Sequence, residues 1–404
     1  MEKFDVIIAG GGPAGLFGAI QIARTGRQVA ILEKNRRLGV KLLMSGAGQC
    51  NITQAGRIEG FFDCYGDHGK FIKPSLTGFD NKALLDFFKK RGLEFETQDN
   101  GKIFPKSRKA KDVLDVLTKE CQKNGVRIIT ECPVEEIRLE GGDFLFQTPK
   151  GSFKSSQVVV ATGGMSYPTS GSSGDGQRFA KSLGHKIVPM KPSLAPLKIK
   201  EYPFADLSGQ SFELSYTLWR SGKKVGAFSG PVLLTHRGLS GPGVINPSRY
   251  MQKGDVVKLD FTGNGDSVKA QLLKAFEKNG KLLVKTVVRQ LDLNRRILDF
   301  LLDEAGIGEG LRCGDLKKDV RQGFFKRLTE YELEIKEVGG YNQAMATAGG
   351  VSLKDLNPKT LESRRVPGLY FIGEVTDIDG DTGGYNIQAA MAMAFAAAQA
   401  IGNK

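Results

Sequence analysis

Asp5-Val6-Ile7-Ile8-Ala9-Gly10-Gly11-Gly12-Pro13-Ala14-Gly15 is the stretch that decides the fold, because a short apolar run leads directly into a glycine-rich turn. Its glycines have the G-x-G-x-x-G spacing, in which the first permits a tight turn and the second lets the backbone approach a pyrophosphate. The third lets the following helix pack on the strand. We therefore predict a strand, a turn and a helix whose first amide groups face phosphates. The residues predicted to contact the ligand are Gly10, Gly12, Pro13, Ala14 and Gly15.

A second apolar run, Val29–Leu32, ends in Glu33, which lies 23 residues after Gly10. A carboxylate at this distance accepts hydrogen bonds from a ribose in dinucleotide-binding folds. A glycine-rich hairpin would also match the glycine spacing by itself. The order of strand, helix, second strand and terminal acid predicts a dinucleotide site instead.

Length and composition indicate a globular protein of two or three domains, with 404 residues of which 40 % are hydrophobic. The net charge of +14 favours polyanionic partners such as nucleic acid, although a solvated basic surface is the alternative. Five cysteines without C-x-x-C or metal spacing predict reduced thiols in a cytoplasmic protein and no metal site. A first strand that begins by residue 4 leaves no room for a signal peptide. The longest apolar run, Ala389 to Ala398, predicts a buried helix and no membrane association.

Residues 34–53 form a second glycine-rich and basic segment directly after Glu33. Gly46 and Gly48 permit a backbone close to a ligand, and Lys34 and Lys41 can neutralise phosphate. A surface loop is the alternative interpretation. The position beside the predicted ribose site favours a part of the cofactor site.

The run Leu38 to Thr53 has the form Leu-Gly-x-Lys-x-x-x-Ser-Gly-x-Gly-x-Cys-Asn-x-Thr and resembles the BaiN/RdsA family of flavoproteins. That family includes proposed bile-acid enone reductases and ribosomal-RNA dihydrouridine synthases, and aminoacetone oxidases are related to it. The resemblance extends to Thr235-His236, Gly373-Glu374 and Gly383 to Gln388. The chain departs from the common form at Gln49, where the family has Arg, and at Ala47, Ala394 and Ala398, where it often has Gly.

The resemblance implies one tightly held FAD, with its adenosine end at residues 10–33 and its flavin end at residues 373–388. Glu374 would orient the ribityl chain, and the amides from Gly384 to Ile387 would face the flavin N1–C2=O edge. Val134 would meet adenine through its backbone. The further residues implied at the cofactor are Lys34, Lys41, Ser45, Gly46, Gly48, Asn51, Thr162, Gly163, Gly373, Tyr385 and Asn386. No second strand-linked G-x-G-x-x-G is present, so NADH or NADPH is expected to dock transiently and leave.

The predicted fold class is α/β, with a Rossmann-like FAD-binding domain of the glutathione-reductase type that a β-rich domain interrupts. We assign residues 1–190 and 346–404 to the FAD-binding domain and residues 191–265 and 330–345 to the β-rich substrate domain. Residues 266–329 form a small helical insert whose predicted apolar anchors are Leu272, Leu282, Val287, Leu298 and Leu302. Residues 191–340 carry 25 Lys and Arg against 18 Asp and Glu, which mildly favours an RNA partner.

The resemblance implies the reduction of a C=C bond conjugated to a carbonyl, in which an acid protonates the α-carbon, and three residues are candidates for this acid. His236 lies in a loop like that of the family, although a structural role is equally compatible. Cys50 follows the ribose acid, with a buried packing role as the alternative, and Tyr385 lies in the flavin turn, where it can also pack on the ring. His68 and His185 are interpreted as structural.

Uridine in ribosomal RNA is the leading substrate, favoured by the net charge and by the basic run Gly101–Lys111. That run can grip a phosphate backbone, or it can be a solvated helix start. A small-molecule enone of the steroid or bile-acid kind is the first alternative substrate. A flavin-dependent amine oxidase that uses oxygen is the second.

Overall fold

The structure, a computed structural model, describes residues 1–403. The strands are β1 (Glu2–Ala9), β2 (Val29–Leu32), β3 (Thr53–Gln54), β4 (Phe95–Thr97), β5 (Lys102–Pro105), β6 (Arg127–Ile129), β7 (Glu136–Glu140), β8 (Asp143–Thr148), β9 (Gly151–Val160), β10 (Ile187–Ser193), β11 (Leu197–Ile199), β12 (Ser211–Arg220), β13 (Lys223–Leu234), β14 (Gly238–Ser240), β15 (Val256–Asp260), β16 (Tyr331–Val338), β17 (Ala346–Val351) and β18 (Leu369–Phe371). The helices are α1 (Pro13–Ala23), α2 (Val40–Met44), α3 (Gly69–Gly78), α4 (Asn81–Lys89), α5 (Ala110–Lys123), α6 (Asp175–Ser182), α7 (Pro242–Ile245), α8 (Gly265–Lys278), α9 (Val284–Val288), α10 (Arg295–Glu304), α11 (Lys318–Thr329) and α12 (Tyr385–Gly402). Short 3₁₀ segments include Ser45–Gly48, Ile58–His68, Cys313–Asp315 and Gly373–Val375.

The chain divides into two compact units, of which unit 1 comprises Met1–Leu194 and Tyr341–Lys404, and unit 2 comprises Ala195–Gly340. Unit 1 is built on a sheet in the order β6-β2-β1-β9-β8-β7, with β18 also paired to β9. The strands β6, β2, β1, β9 and β18 run parallel, whereas β7 and β8 are antiparallel additions. This arrangement confirms the predicted α/β Rossmann-like class.

Strand β9 is one continuous strand of ten residues, Gly151–Val160, that joins two parts of the sheet. Its first half pairs with β8 through Phe144↔Ser155, its second half pairs with β18 through Val159, and β1 pairs along most of its length. The strand thus belongs to both the antiparallel and the parallel part of this one sheet, and its buried positions change from alternating to continuous at residue 157.

Helices α1 and α12 pack against each other at small residues. Gly18 of α1 lies so close to α12 that an added Cβ would be 3.6 Å from the Cβ of Ala394. The Ala-rich run of α12 is buried, as predicted for residues 389–398 except at Phe395 and Ala396, which are half-buried. Among residues 1–403, no helix combines the length and apolar character needed to cross a membrane.

Unit 2 contains a closed antiparallel barrel in the order β11-β14-β13-β12-β15-β16. The helices α8, α9, α10 and α11 share one hydrophobic core with the barrel, since Phe204 contacts Phe300 of α10 at a ring distance of 5.0 Å. Four of the predicted apolar anchors are buried in this core, but Leu282 is 43 % exposed. It lies in the turn between α8 and α9 rather than on a helix face, so the helical periodicity assigned to it was wrong.

Candidate functional site

The carboxyl ends of the five parallel strands bring the predicted cofactor residues of unit 1 to one edge of the sheet. Gly10 follows β1, Glu33 follows β2, Thr162 follows β9 and Gly373 follows β18. A hydrogen bond from the Cys132 N–H to the Glu33 carbonyl (2.9 Å) keeps the segment after β6 at the same edge. Ligands of open parallel sheets bind in the crevice outside this edge.

The three glycines of the first turn have different surroundings. Gly10 has φ +109°, and an added Cβ would lie 2.5 Å from the Ala161 carbonyl oxygen. At Gly15 an added Cβ would lie 2.0 Å from the Gly10 carbonyl oxygen, so the packing of helix on turn itself requires glycine. At Gly12, by contrast, an added Cβ would meet no protein atom within 4 Å.

The open space at Gly12 lies at the start of α1. Gly12 is the N-cap of this helix, no side chain caps it, and Pro13 occupies the first helical position. The uncapped amides of Ala14 and Gly15 therefore provide donors and the positive end of the helix dipole. This cradle, which a Cβ would fill, fits the diphosphate of FAD.

Glu33 is almost completely buried and faces the glycine turn. Its Oε2 accepts the Gly11 N–H at 2.7 Å and its Oε1 accepts the Asn35 N–H at 2.8 Å. Because each carboxylate oxygen has two acceptor positions, both oxygens can accept a further hydrogen bond from a ribose hydroxyl.

Val134 and Thr162 lie at the same edge. Val134 is half-buried between β6 and β7, and its N–H and C=O take part in no backbone hydrogen bond recorded within residues 1–403. Both groups therefore remain capable of meeting an adenine. The Thr162 hydroxyl is buried without a hydrogen-bond partner among the described residues, and Gly163 has φ +76°.

Lys34 and Lys41 are each paired with a carboxylate. Lys34 Nζ donates to Asp175 Oδ2 (2.7 Å) and to the Ser173 hydroxyl (2.5 Å). Lys41 Nζ donates to Glu374 Oε2 at 2.6 Å. In this arrangement the two lysines neutralise carboxylates of the protein. To neutralise phosphate, as predicted, they would have to leave these carboxylates and pair with the phosphate instead.

Glu374 is the centre of a hydrogen-bond network that the sequence did not indicate. Its Oε1 accepts from the Thr347 N–H (2.8 Å) and from the Ser166 hydroxyl (2.9 Å), while Oε2 accepts from Lys41. Thr347 in turn accepts from the Met165 and Ser166 N–H groups through its hydroxyl. The network fixes the carboxylate predicted to orient the ribityl chain. In the sequence, only the run Thr347-Ala348-Gly349 pointed to this hydrogen-bond network. No known motif gives Thr347 a role, so the network could not be predicted from it.

The predicted flavin turn packs directly on the loop that follows α2. Gly384 has φ +93°, and an added Cβ would lie 2.6 Å from the Thr53 N atom. With its amide oriented to satisfy the surrounding groups, Asn51 donates to the Thr53 and Ile103 carbonyls and accepts from the Gly384 N–H at 3.2 Å. The Gly384 amide is thereby engaged by the protein, which leaves the amides of residues 385–387 as the donors at the start of α12.

Asn386 and Tyr385 hold the same turn from its other side. The Asn386 side chain donates to the Gly380 carbonyl and accepts the Gly380 N–H, both at 2.8 Å. The Tyr65 hydroxyl donates to the Tyr385 carbonyl at 2.9 Å. Helix α12 has no side-chain cap, so Ile387 and its neighbours present their amides at an uncapped helix start. A turn held in this way, with uncapped amides at a helix start, is suited to the flavin end of FAD.

The loop Ser45–Cys50 has an unusual backbone. Positive φ angles occur at Gly46 (+55°), Ala47 (+55°), Gly48 (+85°) and Cys50 (+59°). Left-handed backbone is strained for residues other than glycine, and such strain is concentrated at ligand-binding segments. The Ser45 hydroxyl donates to the Leu42 carbonyl at 2.6 Å and secures the end of α2.

The three candidate proton donors differ in position. Cys50 is completely buried, and burial raises the pKa of its thiol to about 12, which makes it a poor acid near neutral pH. Tyr385 is half-buried, with its ring edge-on to Phe61 at 5.0 Å, and burial also raises its pKa. His236 belongs to unit 2, where it is exposed in the turn between β13 and β14. Unit 1 therefore contains two of the three candidates.

The remaining histidines have protein partners. His185 is buried, its ring nitrogens lie 3.1 Å from the Ala180 carbonyl oxygen and 2.7 Å from the Ser363 hydroxyl, and burial lowers its pKa. His68 Nε2 lies 3.6 Å from Asp377 Oδ2. Among residues 1–403, no group of three or more His, Cys, Asp or Glu side chains is placed to hold a metal ion.

Comparisons with known proteins place this geometry in a family. Residues 4–400 match the family described as HI0933-like protein Rossmann domain. The chain is 31 % identical over 401 residues to the ribosomal RNA dihydrouridine synthase of Haemophilus influenzae, covering 98 % of each protein. It is also 31 % identical over 412 residues to the 3-dehydro-bile acid delta(4,6)-reductase of Clostridium scindens, covering 99 % of each. Its fold resembles that of 3-ketosteroid delta1-dehydrogenase from Sterolibacterium denitrificans, with a TM-score of 0.52, 13 % identity and full coverage of both chains.

Proposed function

We propose that this protein, which belongs to the HI0933-like Rossmann family and is an FAD-dependent oxidoreductase, reduces a C=C bond conjugated to a carbonyl, with uridine in ribosomal RNA as its leading substrate. The observation that carries the proposal is the pair of full-length relatives at 31 % identity. A dihydrouridine synthase and a delta(4,6)-reductase of a 3-oxo steroid acid both saturate a double bond next to a carbonyl, and this common chemistry supports the proposal for this chain.

The residues of unit 1 would bind and orient the cofactor. The cradle at Gly12 would hold the diphosphate and Glu33 the adenosine ribose. Glu374, fixed by Ser166 and Thr347, would orient the ribityl chain. When bound, FAD supplies hydride transfer, with NADH or NADPH as the proposed hydride donor.

The start of α12 would have an electrostatic role at the flavin end. Its uncapped amides and helix dipole stabilise negative charge placed near residues 385–387. The Tyr385 ring lies nearly perpendicular to that of Phe61, and the Tyr385 backbone carbonyl accepts from the Tyr65 hydroxyl, so protein contacts hold this end of the site.

We propose His236 as the acid that protonates the α-carbon of the substrate. The His236 side chain is exposed, and histidine is the residue that most often acts as a general acid. The buried Cys50 thiol is a weaker candidate because its raised pKa disfavours proton exchange. Tyr385 is the second candidate.

Dihydrouridine mapping of ribosomal RNA from a deletion strain tests the substrate. We expect one or more dihydrouridine positions to be lost and to return on complementation with the wild-type gene but not with a Glu33→Ala variant. An unchanged dihydrouridine pattern would reject ribosomal RNA as the substrate.

Two further measurements address the alternatives. The bile-acid reductase relative makes a steroid enone the second candidate substrate, and NAD(P)H-dependent loss of the enone absorbance would support it. Substrate-dependent oxygen consumption without NAD(P)H would instead indicate an amine oxidase. Comparison of NAD(P)H oxidation under nitrogen and in air separates reductase from oxidase activity.

A further inference from the structure

One end of the helical part of unit 2 carries a group of cations without ion-pair partners. We call it the basic end and define it as Lys278, Lys281, Arg312, Lys317, Lys318 and Arg321. The side chains of these six residues take part in no ion pair or hydrogen bond among residues 1–403. All are exposed except Arg321, which is half-buried.

The fold brings these residues together from two separate stretches of chain. The Gly314 N–H donates to the Gly280 carbonyl (2.9 Å), and Leu283 pairs with Arg312 in an antiparallel bridge. Helices α8 and α11 run in opposite directions, because the start of α8 at Gly265 adjoins the end of α11 at Thr329. The end of α8 and the start of α11 therefore lie at the same end of the insert.

The cations on α11 are ordered along one face. Arg321 lies three and four residues after Lys318 and Lys317, so the three side chains project from neighbouring positions about one helical turn apart. Three exposed carboxylates, those of Glu277, Asp315 and Asp319, lie in the same segments. The six cations of the basic end and these three carboxylates together have a net charge of +3.

Several cations in other basic segments of the molecule are neutralised by protein carboxylates. In the basic run Gly101–Lys111, Lys106 pairs with Glu94, Arg108 with Glu96 and Lys111 with Asp115. The predicted phosphate-gripping role of that run therefore loses much of its electrostatic basis. On the barrel, Lys198 and Lys200 pair with Glu337 and Glu334. The basic end differs from these paired cations because six cations without an ion pair among residues 1–403 lie together there.

We propose that the basic end binds the phosphate backbone of an RNA substrate. The inference rests on the proposed function, which it extends by naming a docking surface in unit 2. Unpaired cations on a rigid surface release condensed counterions when they contact phosphates, and this release drives RNA binding. The exposed Leu282 and Leu283, 43 % and 37 % accessible, lie among the cations and offer apolar contact to riboses and base faces.

A triple variant, Lys281→Ala/Lys317→Ala/Lys318→Ala, tests the surface in the FAD-loaded full-length protein. The matched control is Lys198→Ala/Lys200→Ala/Lys326→Ala, which removes the same charge from cations that are paired with carboxylates. The probe is a fluorescent RNA stem–loop with uridines in its loop, and its affinity is measured by anisotropy across a salt series. NAD(P)H-driven bleaching of the flavin reports that the cofactor site is intact in both variants.

We expect the triple variant to weaken RNA binding and to reduce the slope of log K against log salt by about 2 to 3, at about 0.7 to 0.9 per lost phosphate contact. The control variant should keep a slope close to that of the wild type. Equal slopes for the two variants would overturn the proposal, as would wild-type binding to phosphatidylglycerol vesicles with none to RNA.

The same variants separate this surface from the proposed function. If the triple variant fails to restore ribosomal dihydrouridine in the deletion strain while the control restores it, both proposals are supported. If both variants restore it equally and their RNA slopes are equal, the docking surface is rejected and the function stands. If the wild type binds the stem–loop through the basic end but the deletion strain loses no dihydrouridine, the function is rejected and the surface stands.

Discussion

Replacement of Gly12 by alanine separates ligand binding from folding in this protein. Gly12 has φ −79° and ψ −177°, which alanine adopts without strain, and its Cβ would meet no protein atom within 4 Å. Reduced freedom of the unfolded chain stabilises Gly→Ala by about 0.4–1 kcal/mol, and the poorer N-cap costs a similar amount. We therefore expect the unfolding midpoint of the apoprotein to change by no more than about 3 °C.

The new methyl group would occupy the space assigned to the diphosphate. Displacing a phosphate by the width of a methyl group breaks at least one hydrogen bond to a charged group, which is worth about 1.5–3 kcal/mol. FAD affinity should therefore fall about 10- to 150-fold. Gly15→Ala is the control, since its Cβ would lie 2.0 Å from the Gly10 carbonyl oxygen and should lower the melting temperature of the apoprotein itself.

The assay is an FAD titration of apoprotein by flavin fluorescence, paired with a far-ultraviolet circular dichroism melt of the same sample. We expect Gly12→Ala to bind FAD weakly and to have the melting temperature of the wild type. We expect Gly15→Ala to have a lower melting temperature. Wild-type FAD affinity in Gly12→Ala would refute the assignment of this cradle to the diphosphate. If the melting temperature of Gly12→Ala were as low as that of Gly15→Ala, the space beside Gly12 would not be open to an added Cβ.

We expect Glu33→Ala to be purified with little FAD, because it loses both the ribose acceptor and the bonds that hold the turn, and full flavin content would contradict this role. His236→Ala should lower the turnover number about 100-fold or more at unchanged flavin content, and an unaltered turnover number would exclude it as the acid. Burial raises the pKa of Glu120, but the Arg91 guanidinium outweighs it and holds that pKa below its ordinary value. Its contribution to stability should be complete above the unfolded pKa of about 4.3 and lost as the pH falls through the folded value, so Glu120→Gln should lower the urea midpoint at pH 7 more than at acid pH. The Cys50 thiol should react with a disulfide reagent only after unfolding, and labelling of the native protein at this position would contradict its burial.

The parts of the fold that the sequence predicts are those encoded by neighbouring residues. Strand β1, the glycine turn, α1 and β2 with Glu33 fall within one short segment, and the local pattern specifies each of them. Strands β11 (Leu197–Ile199) and β16 (Tyr331–Val338) are likewise delimited by turn residues next to them in the chain.

The closure of the barrel and the pairing of Lys41 could not be predicted in the same way. Barrel closure depends on the pairing of β11 with both β14 and β16, which are distant in the chain. Lys41 and Glu374 are 333 residues apart, so no spacing rule relates them. The sequence around Lys41, a basic residue beside a glycine-rich loop, predicts a phosphate contact. It contains no information on whether a carboxylate from a distant part of the chain pairs with the lysine.

Two of the departures from the common family form, Ala47 and Gln49, lie in the loop that follows α2. Ala47 has φ +55°, so its Cβ carries strain that a glycine at this position would avoid. Gln49 accepts a hydrogen bond from Arg108 Nη1 at 3.1 Å, and the Arg108 guanidinium lies 4.6 Å from the centre of the Phe104 ring and pairs with Glu96. An arginine therefore reaches the flavin-side loop from the basic run even though position 49 does not provide one.

This contact changes the interpretation of the basic run. Arg108 itself has φ +54°, a strained conformation that the Glu96, Gln49 and Phe104 contacts help to stabilise. A residue held in this way by three partners positions a loop, whereas a residue that grips a flexible phosphate backbone stays exposed and unpaired. Arg108 of the run that first suggested RNA is therefore better explained as support for the loop from Ser45 to Cys50, and the basic end of unit 2 is the docking surface that we propose for RNA.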